Sequence, residues 1–157
     1  MTVSIELVPL AKKQVLWRLL QMYIYDFTEF DAMEMNDEAV FAYRYFDEYW
    51  APAEGEERHP YFIRVDGALA GFAMVRTVNG ANVMSEFFVM KRFRRGGVGR
   101  EAVKQVLKAL PGKWIVHEHP ANLVAQKFWP EVIGEVTGDR FDQQRSSDGA
   151  LTQRFTV

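Results

Sequence analysis

A chain of 157 residues with a net charge of -2 and no cysteine is long enough for one domain that buries roughly two-thirds of its unfolded surface without a covalent staple. The missing cysteines exclude disulfides, thiolate metal centres and a thiol nucleophile, and no apolar run approaches the roughly 20 residues of a membrane span. The N-terminal MTVSIELVPLAKK lacks a basic stretch leading into an apolar core, so a cytoplasmic protein is expected.

The near-neutral total conceals an asymmetry. Residues 26–57 hold eleven acids against Arg44 alone, whereas residues 91–108 hold seven Lys or Arg against Glu101. Such segments are solvated charged surfaces at the least, and faces that attract ligands of opposite charge at the most.

In chain order, a first strand is followed by apolar residues at 16, 19, 20, 23, 27 and 30, a helical stripe from Ala11 to about Phe30. Asn36 is a candidate cap for a second helix to about Trp50, with Ala39, Tyr43, Phe46 and Trp50 on one face and Phe41, Tyr45 and Tyr49 on another. Pro52, Gly55 and Pro60 mark a loop. YFIRV and ALAGFAMVRTV then flank Asp66-Gly67, a hairpin signal, and Asn79-Gly80 turns the chain into a third strand, NVMSEFFVM.

Next comes KRFRRGGVGREAVKQVL. Its second half is a helix with Val103, Val106, Leu107 and Leu110 on one face, stopped by Pro111-Gly112. KWIVHEH reads as a strand, Asn122 caps a last helix with Ala125, Phe128 and Trp129 inward, and strand-like segments at about 134–144 and 150–157 close the chain. Pro130 should kink or end that helix, because it deletes a backbone bond and clashes with the carbonyl of Gln126. The order strand, helix, helix, three strands, helix, strand, helix, two strands predicts a single α/β (α+β) domain over residues 1–157. Its sheet is mixed, mostly antiparallel, with about seven strands beside four helices.

Strand, glycine-rich turn and helix N-terminus together make an anion site, since the first N–H groups of a helix lack partners and its dipole is positive there. Gly96, Gly97 and Gly99 allow close approach, and Arg94, Arg95 and Arg100 bring forked donors suited to phosphate. A nucleotide P-loop needs GK[ST] where Gly99-Arg100-Glu101 stands, and a dinucleotide fingerprint needs a first-strand setting that the preceding hairpins deny. Alternatively, the glycines simply join strand to helix and the arginines face water.

Read as Arg94-x-x-Gly97-x-Gly99, the loop resembles the pyrophosphate loop of the GNAT superfamily of acyl-CoA-dependent N-acyltransferases. Phe87-Phe88-Val89 resembles that family's fourth strand, and Asn122-x-x-Ala125-x-x-Phe128-Trp129 its second cofactor motif. The resemblance implies a GNAT-like fold in which acetyl-CoA, the co-substrate, lies in a splay between the fourth and fifth strands. Backbone groups of Phe87, Phe88 and Val89 would meet the pantetheine arm, a main-chain N–H near Val89 would hold the thioester oxygen, and the backbone from Arg95 through Val98 to Arg100 would hold the pyrophosphate. Asn122 and Phe128 would contact the cofactor arm.

The implied reaction is direct attack of a primary amine on the thioester, with no metal. Glu86 interrupts the apolar run VMSEFFVM, where a carboxylate tends toward the raised pKa of a general base; a salt-bridged glutamate is the alternative. His117 has the right intrinsic pKa, lies five residues before Asn122 and shares a strand face with His119, while Glu118 points the other way. Family members often carry a tyrosine acid where this chain has Trp129, and an indole supplies no proton near neutrality.

The acidic 26–57 segment coincides with the part of the chain that, by resemblance, walls the acceptor site. The expected acceptor is therefore a cationic small molecule, polyamine or peptide amine, with Tyr23, Tyr25, Tyr43, Tyr45 or Tyr49 as aromatic walls. No nucleic-acid or membrane partner is expected, the protein being a monomer or homodimer. A non-catalytic acyl-CoA-binding module stays open beside the enzyme.

Overall fold

The computed structural model describes residues 1–157. Its order is β1 (Val3–Leu7), α1 (Lys13–Phe27), β2 (Glu56–Val65), β3 (Ala68–Val78), β4 (Ala81–Val89), α2 (Val98–Ala109), β5 (Lys113–Glu118), α3 (Leu123–Thr137), β6 (Asp142–Arg145) and β7 (Leu151–Thr156). The seven strands form one sheet in the order β1-β2-β3-β4-β5-β7-β6, and β4/β5 is its only parallel pair.

The hairpins form where the turn chemistry places them. Asp66-Gly67 and Asn79-Gly80 all have positive φ, the backbone that two-residue turns between twisted strands require. β3 lies inside the sheet and is apolar on both faces, with Ala70, Phe72, Ala73, Met74 and Val75 all buried. Alternation then sends Phe72 and Met74 to one face and Ala73 and Val75 to the other.

On the first face α1 buries Leu16, Leu19, Leu20 and Ile24 against Phe62, Phe72, Met74 and Phe88. On the second, Val103, Val106 and Leu107 of α2 and Trp129, Val132 and Ile133 of α3 cover Val75, Trp114 and Val116. Burying each such side chain contributes about 1.5–3 kcal/mol, which makes these two layers the main source of stability.

The helix expected from Asn36 to Trp50 does not form. Residues 28–50 are turns and one 3-10 turn at Asp47–Tyr49. The Asn36 side chain, rather than capping a helix, accepts from the backbone N–H groups of Glu38 (2.9 Å) and Val40 (3.1 Å), and Ala39 sits at φ 59. Phe41, Phe46 and Tyr49 still reach the core beneath α1, so the aromatic pattern reported burial and not helical periodicity. There are accordingly three α-helices, not four.

The last helix also runs further than expected. It passes through Pro130 to Thr137 and ends at Gly138 in the left-handed conformation, so the segment from 134 is helix and β6 begins only at Asp142. No helix is long and apolar enough to cross a membrane.

Candidate active site

β4 and β5 pair only at Ala81/Lys113, Asn82/Trp114 and Val83/Ile115. Immediately afterwards β4 has one residue too many: Met84 faces Val75 and Glu86 faces Met74, leaving Ser85 as a bulge. A bulge bends its strand and turns its side chains. β4 then continues to Val89 and β5 to Glu118 with no pairing between them. The wedge that results opens into a cleft of about 330 Å³.

Glu86 and Tyr23, Tyr43 and Met33 line one side of this cleft, the side of α1 and the 28–50 segment. The Tyr43 hydroxyl donates to Glu86 Oε1 at 3.3 Å. Burial pushes the Glu86 carboxyl above the ordinary carboxylate range, and hydrogen bonding from Tyr23 and Tyr43 only partly opposes it. No Lys, Arg or His pairs with it, so it is not the salt-bridged glutamate of the alternative reading. Of the other tyrosines, Tyr25 is 69% exposed, Tyr45 lies against Arg44 and Arg58, and Tyr49 is buried at 3%. None of these three lines the cleft.

β5 supplies the opposite side. His117 Nδ1 lies 2.7 Å from the Thr152 hydroxyl, and burial together with Arg154 lowers its pKa, so the ring is neutral at pH 7 and able to accept a proton. His119 accepts at Nδ1 from the Ala121 N–H (3.1 Å), turning Nε2 toward Asp31 at 3.9 Å across the mouth. Glu118 does face the other way, yet it too lines the cleft, from the α3 side, and is only 3% exposed. Burial raises its pKa to about 7.

Sequence reasoning missed Glu118. The signal was alternation: Trp114, Val116 and Glu118 share a face, and a strand that buries Trp and Val there carries the glutamate inward with them.

On the α2/α3 side, Phe87 stacks on Phe128 (6.2 Å between centroids) and meets Trp129 edge-on (5.3 Å). Phe88 points the opposite way, into the core against Phe72, and its backbone is turned to Phe72 of β3, so it does not meet the cleft as expected; the alternation leaves Phe87 and the Val89 N–H facing β5. Asn122 Oδ1 caps α3 through the Ala125 N–H at 3.0 Å. Its amide nitrogen makes no bond within the chain, and the residue lines the cleft.

The glycine loop leads into α2 beside the cleft. Arg95 (φ 66) and Gly97 (φ 81) are both left-handed, and space around Gly96 and Gly97 is open for at least 4 Å where a Cβ would stand. Gly99 lies under the Phe128 and Phe87 rings, 3.4 Å being all a Cβ would have. An open turn with free N–H groups at the start of a buried helix fits a diphosphate.

The arginines divide. Arg94 donates from Nε to the Val89 carbonyl and from its terminal nitrogen to Asp26, both at 2.7 Å. Arg100 pairs with Glu131 and Glu135 on α3. Both brace the loop. Arg95 has no partner and is exposed, which leaves it as the loop arginine free to meet an anion.

The family model of the acetyltransferase (GNAT) family matches residues 17–134. Among solved structures, an acetyltransferase from Thermus thermophilus is similar at TM-score 0.70 and 13% identity, covering 100% of this chain and 98% of its own. The PaiA N-acetyltransferase from Thermoplasma acidophilum, solved with coenzyme A, gives TM-score 0.65 at 8% identity over 100% of both chains. The ribosomal-protein-S18-alanine N-acetyltransferase from Escherichia coli gives 0.59 at 13%, over 99% and 94%. At such identities the likeness shows the fold. No curated protein sequence matches the chain.

Proposed function

Since the chain belongs to the GNAT acetyltransferase family, we propose that it transfers acetyl from acetyl-CoA to a primary amine by direct attack on the thioester. The observation that carries this reading is the parting of β4 from β5 beyond Val83 and Ile115, which opens a cleft beside Glu86 in line with Asn122 and the glycine loop. In this reading the backbone from Arg95 to Arg100 holds the pyrophosphate, the Phe87 backbone and the Asn122 amide hold the pantetheine arm, and Phe128 shields it. Acetyl-CoA supplies the activated acyl group. The Val89 N–H is the donor aimed at the oxygen that gains charge.

Glu86 takes the proton that an incoming ammonium must lose. Its raised pKa suits the task better than that of an ordinary carboxylate, because a base works best when its pKa lies near the operating pH. His117, neutral and across the cleft, is the second candidate, directly or through water. The acceptor is cationic in this proposal: the acidic 28–50 segment contributes Met33 to the cleft and Asp31 to its mouth, and the Tyr23 and Tyr43 rings flank Glu86.

Thermal shift with coenzyme A, for wild type and Gly97→Arg, tests the binding half. A ligand at a hundred times its Kd stabilises by about 2.7 kcal/mol, and an L-residue at φ 81 distorts the loop, so the shift should appear in the first protein and vanish in the second. No shift in wild type sinks the reading. An acetylation assay over a panel of polyamines, aminoglycoside-like compounds and basic peptides tests the rest.

A further inference from the structure

The buried polar atoms behind the cleft do not balance as ordinarily ionised. Gln153 on β7 is fully buried, and its Nε2 donates to Glu118 Oε1 at 2.7 Å and to Gln143 Oε1 at 3.0 Å. That uses both of its hydrogens. Glu118 Oε2 and Gln153 Oε1 are left buried with no partner. Both are acceptors, and an orphaned buried acceptor costs about 1–3 kcal/mol. A carboxylate has no hydrogen to offer, so with Glu118 ionised neither orphan can be satisfied from this pair. A carboxylic acid carries the one hydrogen the two lack, and an amide and a carboxylic acid are complementary, each with donor and acceptor.

The surroundings point the same way. The titratable groups lining the cleft are Glu86 from β4, Tyr23 from α1, Tyr43 from the 28–50 segment, and His117 and His119 from β5. β7 faces Glu118 with the uncharged Gln153, which Gln143 of β6 backs, and α3 lines its side of the cleft with Asn122, Ala125 and Trp129. No cation is placed to hold Glu118 ionised, and burial alone dominates its titration.

We propose that Glu118 is the proton donor of the cleft, kept as a neutral carboxylic acid by Gln153 and spent on the sulfur that departs. The proposal rests on the acyl-transfer reading given above. In the step, the carboxyl, 3% exposed at rest, turns its hydrogen from Gln153 Oε1 to the departing sulfur; the Oε2–H bond breaks and an S–H bond forms. Glu118 becomes a carboxylate, the thiolate of coenzyme A becomes a thiol, and bulk water reloads the acid. The nitrogen gives up two protons, one from the ammonium before attack and one as the tetrahedral adduct collapses; Glu86 passes each in turn to bulk water, which returns one to Glu118, so acetylation of an ammonium releases one proton net. Elimination supports the assignment. Tyr23 and Tyr43 are pushed above the ordinary phenol range, His117 is neutral, the Trp129 indole does not ionise, and Glu86 must act as base. A carboxylic acid with a pKa near 7 protonates a thiolate, whose thiol has a pKa of about 8.5, downhill.

Glu118→Gln keeps the shape and supplies an N–H for the orphaned Gln153 oxygen, but has no proton to transfer. The expected result is an unchanged coenzyme A thermal shift with kcat reduced by ~10²-fold. The decline of wild-type rate as pH rises through Glu118's titration should be absent from the variant. Infrared difference spectra of wild type between pH 6 and pH 9 should show a protonated-carboxyl band that the variant lacks. Wild-type kcat in Glu118→Gln, or no such band at pH 6, overturns the donor role. Turnover absent on every amine with the band present overturns the acyl-transfer reading and the donor role together, while the protonated pair stands.

Discussion

A carboxylate that accepts a proton from an ammonium must be ionised when the amine arrives, so under the proposed mechanism the pKa of Glu86 should set the acidic limb of kcat/KM. Tyr43 donates to its charged form and holds that pKa down. Tyr43→Phe removes the donor, and the acidic limb should move to higher pH, whereas Glu86→Gln should cost ~10²-fold and erase the limb. A pH series of initial rates on the three proteins checks both. Glu118 gives a stability prediction of opposite use. Its folded pKa of about 7 lies above its ordinary value of 4.5, so between these pH values the unfolded chain releases the proton first. Wild-type stability should therefore fall as pH rises through that window and level off above it. Glu118→Gln should match wild type near pH 4 and exceed it at pH 8 by on the order of 3 kcal/mol, measured by denaturant melts. Of these two acids only Glu86 stood out in the sequence, because it broke an apolar run. Glu118 sat between two histidines whose chemistry drew attention, and its burial depends on Gln153 and Gln143 arriving from the end of the chain.

At the scale of elements, the site depends on β4 ending where it does, and β3 fixes that. Gly71 pairs with Val89, and a Cβ on it would collide with the carbonyl of Phe88, a backbone atom with nowhere to go. Gly71→Ala should destabilise by about 3 kcal/mol and, through the displaced end of β4, raise the KM for acetyl-CoA more than that for the amine. A chemical melt and a two-substrate kinetic analysis read the two effects. The meander, α1, α2 and the hairpin turns were legible because period and turn chemistry agree there. The 36–50 segment was not, since its aromatics satisfy a helical spacing while Asn36 closes a turn on Val40 and Ala39 takes a left-handed φ. Propensity had no means of telling an Asx turn from a helix cap, as both begin with the same side-chain oxygen accepting a nearby N–H. The bulge at Ser85, which re-aims Glu86, left no mark in the sequence either, for a strand one residue longer on one side looks like any strand.

Across the whole molecule, the two charged segments recognised in the sequence partly neutralise each other and their neighbours. Asp26 holds Arg94 and Lys91, Glu48 and Glu56 hold Arg58, and Glu131 and Glu135 take Arg100. What remains is uneven. Glu29, Glu34, Asp37 and Glu38 are exposed and unpaired along the segment that walls the proposed acceptor site, while Arg92 and Arg95 remain unpaired by the glycine loop. Surface pairs contribute about 0–1 kcal/mol, so these charges say little about stability, but clusters of one sign around a cleft do affect encounter with charged ligands. The two ends should then respond oppositely. Arg95→Glu should raise the KM for the polyanionic donor and leave that for a polyamine near its wild-type value. Reversing Glu34 and Glu38 to Lys should do the converse. Raising salt from about 50 to about 500 mM shortens the screening length severalfold, so kcat/KM for a polyamine should fall in wild type and fall less in the double reversal. A salt series with one polyamine and one neutral-bodied amine distinguishes steering from general inhibition: an equal decline for both, or none for either, removes the acidic segment from acceptor choice and leaves it as the solvated cover of α1's aromatic underside.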